Sequence, residues 1–531
     1  MKRIFYNGQV YTGELPLASA FAVENGKFTF AGADDQALAL ARPGDETIDL
    51  NGRFVCAGFN DSHMHLLSLG LALRRARLNE HTGSLRELID YFRDFAAEMG
   101  PNERGWIVGR GWNQDYFSDE KRMPNRYDLD QVSLTEPVAA VRCCGHCAVV
   151  NSRALALMGV TAETPAPEGG EIGLENGQPD GRFYDTAMDM IWARVPEVGK
   201  EDVKDMIRAA CRRYNACGVT SCQTDDYATD WRLVNQAYRE LIASGELTVR
   251  VTEQCNFHEV DALAEFIAAG HVTGAGDDMF RIGPLKMVAD GSLGGRTAYL
   301  SRPYSDDPST RGLMLYSRQT LEDVIGYAHE HGMNAAIHAI GDGCLDAVLD
   351  AIEKALNAHP REDHRHGIVH CQITRRDQLE RMARLKLHIY AQSIFIDYDS
   401  RVVRQRVGDM AETSYSWKTL TDMGLTVSNG TDCPVELPDA LRGIQCAVTR
   451  APLAGGEAYL PHEAFTVKEA LDSYTSASAR ASFEEKTKGR IQPGMLADFV
   501  VLGQNPFQVP ANEISRVPVC ETWLGGKKVY G

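Results

Sequence analysis

No apolar run in this chain is long enough to cross a bilayer. The first residues, Met1-Lys2-Arg3-Ile4-Phe5-Tyr6-Asn7-Gly8, lack the apolar core of a signal peptide. No Lys/Arg cluster is present, and the formal net charge is −18, which makes a nucleic-acid backbone or an anionic membrane a poor partner. The 13 cysteines, an odd number, follow no regular spacing, which argues for reduced thiols and against a disulfide framework. No Gly-x-Gly-x-x-Gly follows a first strand, so a dinucleotide-binding fold has no support. These absences leave a cytoplasmic globular protein that acts on a small molecule, with no nucleic acid and no membrane. The oligomeric state stays open, a homo-oligomer included.

The chain has 531 residues, 44% hydrophobic and 24% charged, too many for one ordinary core and typical of a folded protein. Its two ends are β-rich. Ile4-Phe5-Tyr6 and Val10-Tyr11 flank Asn7-Gly8, and Glu521-Thr522-Trp523-Leu524 and Lys528-Val529-Tyr530 flank Gly525-Gly526; both are hairpin signals. Ends too small for separate cores are expected to join, so residues 1–53 and 482–531 predict one β-sandwich. Between them, over 54–481, strand-like runs alternate with helical ones. The strand-like runs are Phe54–Gly58, Cys217–Cys222, Leu247–Val251, Ile282–Val288, Asn334–Ile337, Gly367–Val369, Leu387–Tyr390 and Leu425–Ser428. Eight strand–helix units predict an α/β fold of the (β/α)8 TIM-barrel type rather than an open sheet. Residues 70–215 do not fit one strand–helix step. They predict an insertion after barrel strand 1, on the side where barrel loops face the active site, and so one wall of a substrate pocket.

Six side chains carry the chemistry: His63, His65, Lys286, His338, His370 and Asp432. Residues two apart on a strand point the same way, so His63 and His65 aim two imidazoles at one point, which suits a divalent ion; two hydrogen-bonded histidines would look the same. Asp61 could orient one of the rings or cap a turn. Lys286 lies in the apolar run Gly283-Pro284-Leu285-Lys286-Met287-Val288. A buried ammonium needs a carboxylate partner, with Asp290 the nearest candidate, or carboxylation by carbon dioxide into an anionic oxygen ligand. His338 and His370 each close an apolar strand where barrel catalysts sit, and His370 is preferred to the deeper His366. Asp432 ends the last strand and is placed to accept a proton from water. Cys144-Gly145-His146-Cys147 has no second cysteine pair near it, so a zinc or redox role is disfavoured; His146 and Trp112 are instead candidate substrate contacts, with structural roles equally open.

Taken together, these residues resemble the amidohydrolase superfamily, and within it the YtcJ-like, N-substituted formamide deformylase-like branch. The resemblance runs along nearly the whole chain. Its motifs are Gly58-Phe59-Asn60-Asp61-Ser62-His63-Met64-His65, Lys286-Met287-Val288-Ala289-Asp290-Gly291-Ser292, His338-Ala339-Ile340-Gly341-Asp342, Gly430-Thr431-Asp432-Cys433-Pro434-Val435 and, in the insertion, Gly111-Trp112-Asn113 and Gly145-His146-Cys147-Ala148-Val149-Val150-Asn151. The resemblance implies two divalent metal ions, zinc by expectation. His63 and His65 would bind one, His338 and His370 the other, carboxylated Lys286 would bridge them, and Asp432 would join the first and shuttle protons. One departure stands out: where the branch often carries Glu, this chain has Val369, which puts a substrate or supporting contact in doubt.

The expected activity is metal-dependent hydrolysis of a non-peptide carbon–nitrogen bond, amide-type, by metal-activated hydroxide. A one-metal deaminase using His63, His65, His338 and Asp432 is the alternative within enzymes. A non-catalytic scaffold is the alternative outside them, disfavoured because no ligand is missing.

Overall fold

The computed structural model describes residues 2–531. It divides into two compact units, the residues up to Leu66 with Ala210–Gly531, and Leu67–Ala209.

The first unit is built on an eight-stranded parallel sheet: β1 (Phe59–Met64), β2 (Val219–Thr224), β3 (Arg250–Asn256), β4 (Phe280–Val288), β5 (Ala335–Ala339), β6 (Gly367–His370), β7 (His388–Ala391) and β8 (Val427–Asn429). Each strand pairs in parallel with the next. The sheet curls until its first and last strands meet. The Asp432 N–H donates to the His63 carbonyl at 2.9 Å and the His65 N–H to the Cys433 carbonyl at 2.8 Å, so the fold is a TIM barrel. Its strands are buried along almost their whole length, which is why they lack the apolar–polar alternation of a sheet with one wet face. Helices return the chain between strands. Arg318–Glu330 starts at Ser317, whose hydroxyl accepts from the Thr320 N–H, and Asp342–Ala358 buries an apolar stripe from Leu345 to Ala355.

Two smaller sheets complete this unit. One holds Arg3–Tyr6, Ala20–Glu24, Lys27–Gly32 and Glu46–Asp49. The other joins the two ends of the chain, with Phe54–Ala57 antiparallel to Phe499–Leu502. Their shared core is aromatic: the rings of Phe5 and Phe21 stack at 4.6 Å, and those of Phe499 and Trp523 at 5.4 Å. The run Phe54–Ala57, expected to open the barrel, belongs to this sheet instead. The barrel strand begins after Gly58, where an added Cβ would collide with the Thr220 side chain.

The second unit carries a six-stranded sheet, from Gly170–Glu175 at one edge to Ala76–Arg77 at the other, with an apolar cluster on each face. Among the described residues no helix is long and apolar enough to cross a membrane.

Candidate metal centre

The C-terminal ends of β1, β4, β5, β6 and β8 bring the six candidate side chains to one end of the barrel. One ligand atom each of His63, His65 and Asp432 lies within 4.8 Å of the others. The Nε2 atoms of His65 and His63 lie 3.1 and 3.4 Å from Asp432 Oδ1. The His370 ring sits edge-on to His63, with centroids 5.6 Å apart, and to His338 at 4.4 Å. Lys286 Nζ is buried 3.4 Å from Asp225 Oδ2. Two of these residues, His370 and Asp432, adopt left-handed backbone angles, φ 73° and 55°.

The tautomers follow from the neighbours. Gln254 donates its amide N–H to the Ser62 carbonyl at 3.0 Å, which turns its Oε1 to His63 Nδ1 at 2.7 Å. Gln392 does the same for His370, donating to the Tyr390 carbonyl at 3.0 Å and accepting from Nδ1 at 2.8 Å. Both imidazoles therefore carry hydrogen on Nδ1 and present a lone pair at Nε2. His338 is the reverse: its Nε2 lies 3.2 Å from both Asp290 Oδ1 and the Gly291 carbonyl, leaving the lone pair on Nδ1.

Burial, reinforced by Lys286, holds His63 neutral well below its ordinary range, and burial with His338 lowers His370 to about 3. His65 moves the other way. Burial lowers it, but the hydrogen bond and charge of Asp432 raise it further. Asp432 is held below the ordinary carboxylate range: burial raises it, and the hydrogen bond from His65 leads the opposing effects that bring it down. Neutral His63 thus points a lone pair at an ionised carboxylate oxygen. Two acceptors facing each other repel unless a cation lies between them, so this donor set fits a divalent ion.

Several positions differ from the sequence reading. The carboxylate beside Lys286 is Asp225, not Asp290; Asp290 instead accepts the backbone N–H groups of Tyr299, Ile340 and Gly341. Asp61 touches no imidazole ring. It accepts from Tyr214 and Thr431 and ties β8 to β1. Val369 packs with Ala336, Tyr390 and Ala481, beside a Tyr390 hydroxyl that is buried without a hydrogen-bond partner. In the second unit, Trp112 is fully buried and donates its indole N–H to the Ala140 carbonyl at 3.0 Å; His146 is exposed, 3.2 Å from Asp185. Gln254, Gln392 and Asp225 were not singled out from sequence. Their signal was no more than a polar residue at or just past the C-terminal end of a barrel strand.

A cavity of about 220 Å³ adjoins the centre. Ile340 and Gln372, each two residues past a candidate ligand, and Val435, whose N–H donates to the Asp432 carbonyl at 2.9 Å, form part of its wall. Phe395 forms another part and stacks on His370 at 5.9 Å.

The amidohydrolase family profile matches residues 46–530. The chain is 34% identical over 542 residues to the putative amidohydrolase YtcJ of Bacillus subtilis (strain 168), covering 100% of this chain and 99% of that one. It is 25% identical over 524 residues to the N-substituted formamide deformylase of Arthrobacter pascens, covering 97% and 95%. The crystal structure of a metal-dependent hydrolase from Pyrococcus furiosus superposes with a TM-score of 0.78 at 30% identity, covering 96% of this chain and 100% of that one. The chain belongs to the amidohydrolase family.

Proposed function

We propose that this centre hydrolyses an amide-type, non-peptide carbon–nitrogen bond of a small molecule. The observation that carries the reading is the opposed pair, a neutral His63 lone pair 3.4 Å from an ionised Asp432 oxygen. His63, His65 and Asp432 would hold one divalent ion, zinc by its ligand preference, and His338 and His370 a second. Lys286 would lie between them, its neutral amine adding carbon dioxide and losing a proton to become an oxygen-donor anion. Such ions, when bound, lower the pKa of water and polarise a carbonyl.

The chain's own groups do the rest. Gln254 and Gln392 keep the hydrogens on Nδ1 and the lone pairs directed inward. Asp432, ionised at neutral pH, takes a proton from the attacking water and delivers it to the leaving amine nitrogen. Phe395 and Ile340 give the adjoining cavity a dry wall for the substrate's substituent. The names of two relatives, a putative amidohydrolase and a deformylase of N-substituted formamides, support the bond type.

Asp432→Asn tests the proton role. Metal content measured by elemental analysis is expected to persist while turnover of a broad amide panel falls by roughly 10²–10⁴-fold. Retained turnover removes Asp432 from that role.

A second reading, a one-metal deaminase, is favoured by one observation: the tight cluster comprises His63, His65 and Asp432 alone, and Lys286 already has Asp225. Metal stoichiometry separates the two. Two ions per chain, with loss in Lys286→Ala, support the bridged centre; one ion, indifferent to that substitution, supports the deaminase.

A further inference from the structure

We propose that the cavity beside the metal centre selects substrates carrying a protonated amine on an apolar, ring-sized arm; this rests on the amide-hydrolase reading of the centre. Position comes first. Ile340, Gln372 and Val435 follow His338, His370 and Asp432 at the ends of β5, β6 and β8, and Phe395 lies on the His370 ring. A group held there lies alongside the reacting bond.

Size comes next. A cavity of 150 Å³ holds benzene, so about 220 Å³ holds a ring with a short arm. Leu293, Ile340, Phe395 and Val435 provide the apolar surface.

Charge then sets the class. Two carboxylates, Asp399 and Glu436, line the same cavity, and no lysine or arginine does. The Asp399 Oδ2 atom accepts from the neutral Tyr415 hydroxyl at 2.8 Å, and neither carboxylate forms an ion pair among the described residues. The nearby guanidinium of Arg442 lies 3.9 Å from a third carboxylate, Asp397. Burial raises Asp399 to about 6, and burial followed by the charges of Asp397, Asp399 and Asp432 raises Glu436 despite Arg442. An ammonium on the substrate would meet two carboxylates that form no ion pair, with the charge of Arg442 reaching only Glu436. A neutral group would leave them uncompensated, and an anion would be repelled.

Calorimetric titration of the metal-loaded full chain with benzylammonium, benzyl alcohol and benzoate tests this without requiring turnover. Benzylammonium is expected to bind at least ~10-fold tighter than benzyl alcohol, and benzoate more weakly than either. Asp399→Asn and Glu436→Gln, made singly and together, are expected to erase the preference stepwise. Equal binding of benzylammonium and benzyl alcohol by the unsubstituted chain, or tighter binding of benzoate, overturns the proposal. In parallel, kcat/KM is compared for N-acetyl-4-(aminomethyl)benzylamine and its neutral 4-methyl counterpart. Cleavage of both with the neutral one preferred overturns the charge selectivity and leaves the hydrolase reading standing. Selective ammonium binding with no amide cleaved does the reverse.

Discussion

At the scale of single residues, the site depends on two carboxamides as much as on its imidazoles. An imidazole has two nitrogens and, when neutral, one hydrogen; which nitrogen can take a cation is decided by what the other one donates to. Gln254 makes that decision for His63, because its own N–H is spent on the Ser62 carbonyl and only its oxygen is left for Nδ1. Gln254→Leu keeps the volume and removes the acceptor. The expected result is a 10- to 100-fold loss of metal affinity, measured by competition with a chromogenic chelator, with little change in fold. Unchanged affinity would show that ring packing alone orients His63. The six candidate ligands were legible in the sequence because histidine, lysine and aspartate recur at or near the ends of successive barrel strands. Their supports were not. Whether Gln254 meets His63, or Asp225 rather than Asp290 meets Lys286, depends on which residues the barrel brings level across strands that are far apart in the chain, and no local pattern records that.

At the scale of elements, the closure of the barrel is the sensitive step. β8 must approach β1 closely enough for Asp432 and Thr431 to reach His63 and Asp61. Gly430 permits it: a Cβ there would lie 2.5 Å from the His63 nitrogen and 2.7 Å from its carbonyl oxygen. Gly430→Ala is therefore expected to open the seam that carries three candidate ligands, lowering both the melting temperature and the bound metal, with a cost of about 1–3 kcal/mol typical of overpacking. An alanine variant with unchanged melting and metal content would show that the seam has slack. Strands such as Ala335–Ala339 and Gly367–His370 could be read from the sequence because burial on both sides leaves them mostly apolar. The same property hid one boundary. Phe54–Ala57 and Phe59–Met64 are buried from end to end, and only Gly58 marks where the chain leaves one sheet for another.

At the scale of the whole barrel unit, polar groups tie its parts together from inside. Arg250 on β3 grips Asp498, just before the strand Phe499–Leu502, with two hydrogen bonds of 2.6 and 2.9 Å. At the end of the barrel away from the metal centre, histidines form a neutral chain. His329 Nε2 donates to the His359 carbonyl at 2.6 Å, so its Nδ1 accepts; His366 Nδ1 accepts from the Ala335 N–H, so its Nε2 donates to His329 at 2.9 Å. His388 meets the Ser428 hydroxyl at 2.8 Å.

Burial, with His364 and His329 next, holds His366 well below its ordinary range; burial, with the charges of Arg480 and Arg365, lowers His388 to about 3. In the unfolded chain these rings take a proton near pH ~6.5, so below that pH the unfolded state binds protons that the folded state refuses. The stability they contribute is complete above pH ~6.5 and is lost as the pH falls towards the folded value, at about 1.5 kcal/mol per ring between pH ~6.5 and ~5. Thermal unfolding midpoints should therefore drop on going from pH 7 to pH 5. His388→Gln, which keeps a hydrogen-bonding group and cannot titrate, should show a shallower drop, by about one proton's worth. Equal pH slopes in the two proteins would mean that His388 is protonated in the folded barrel and that burial at this end does not exclude the charge.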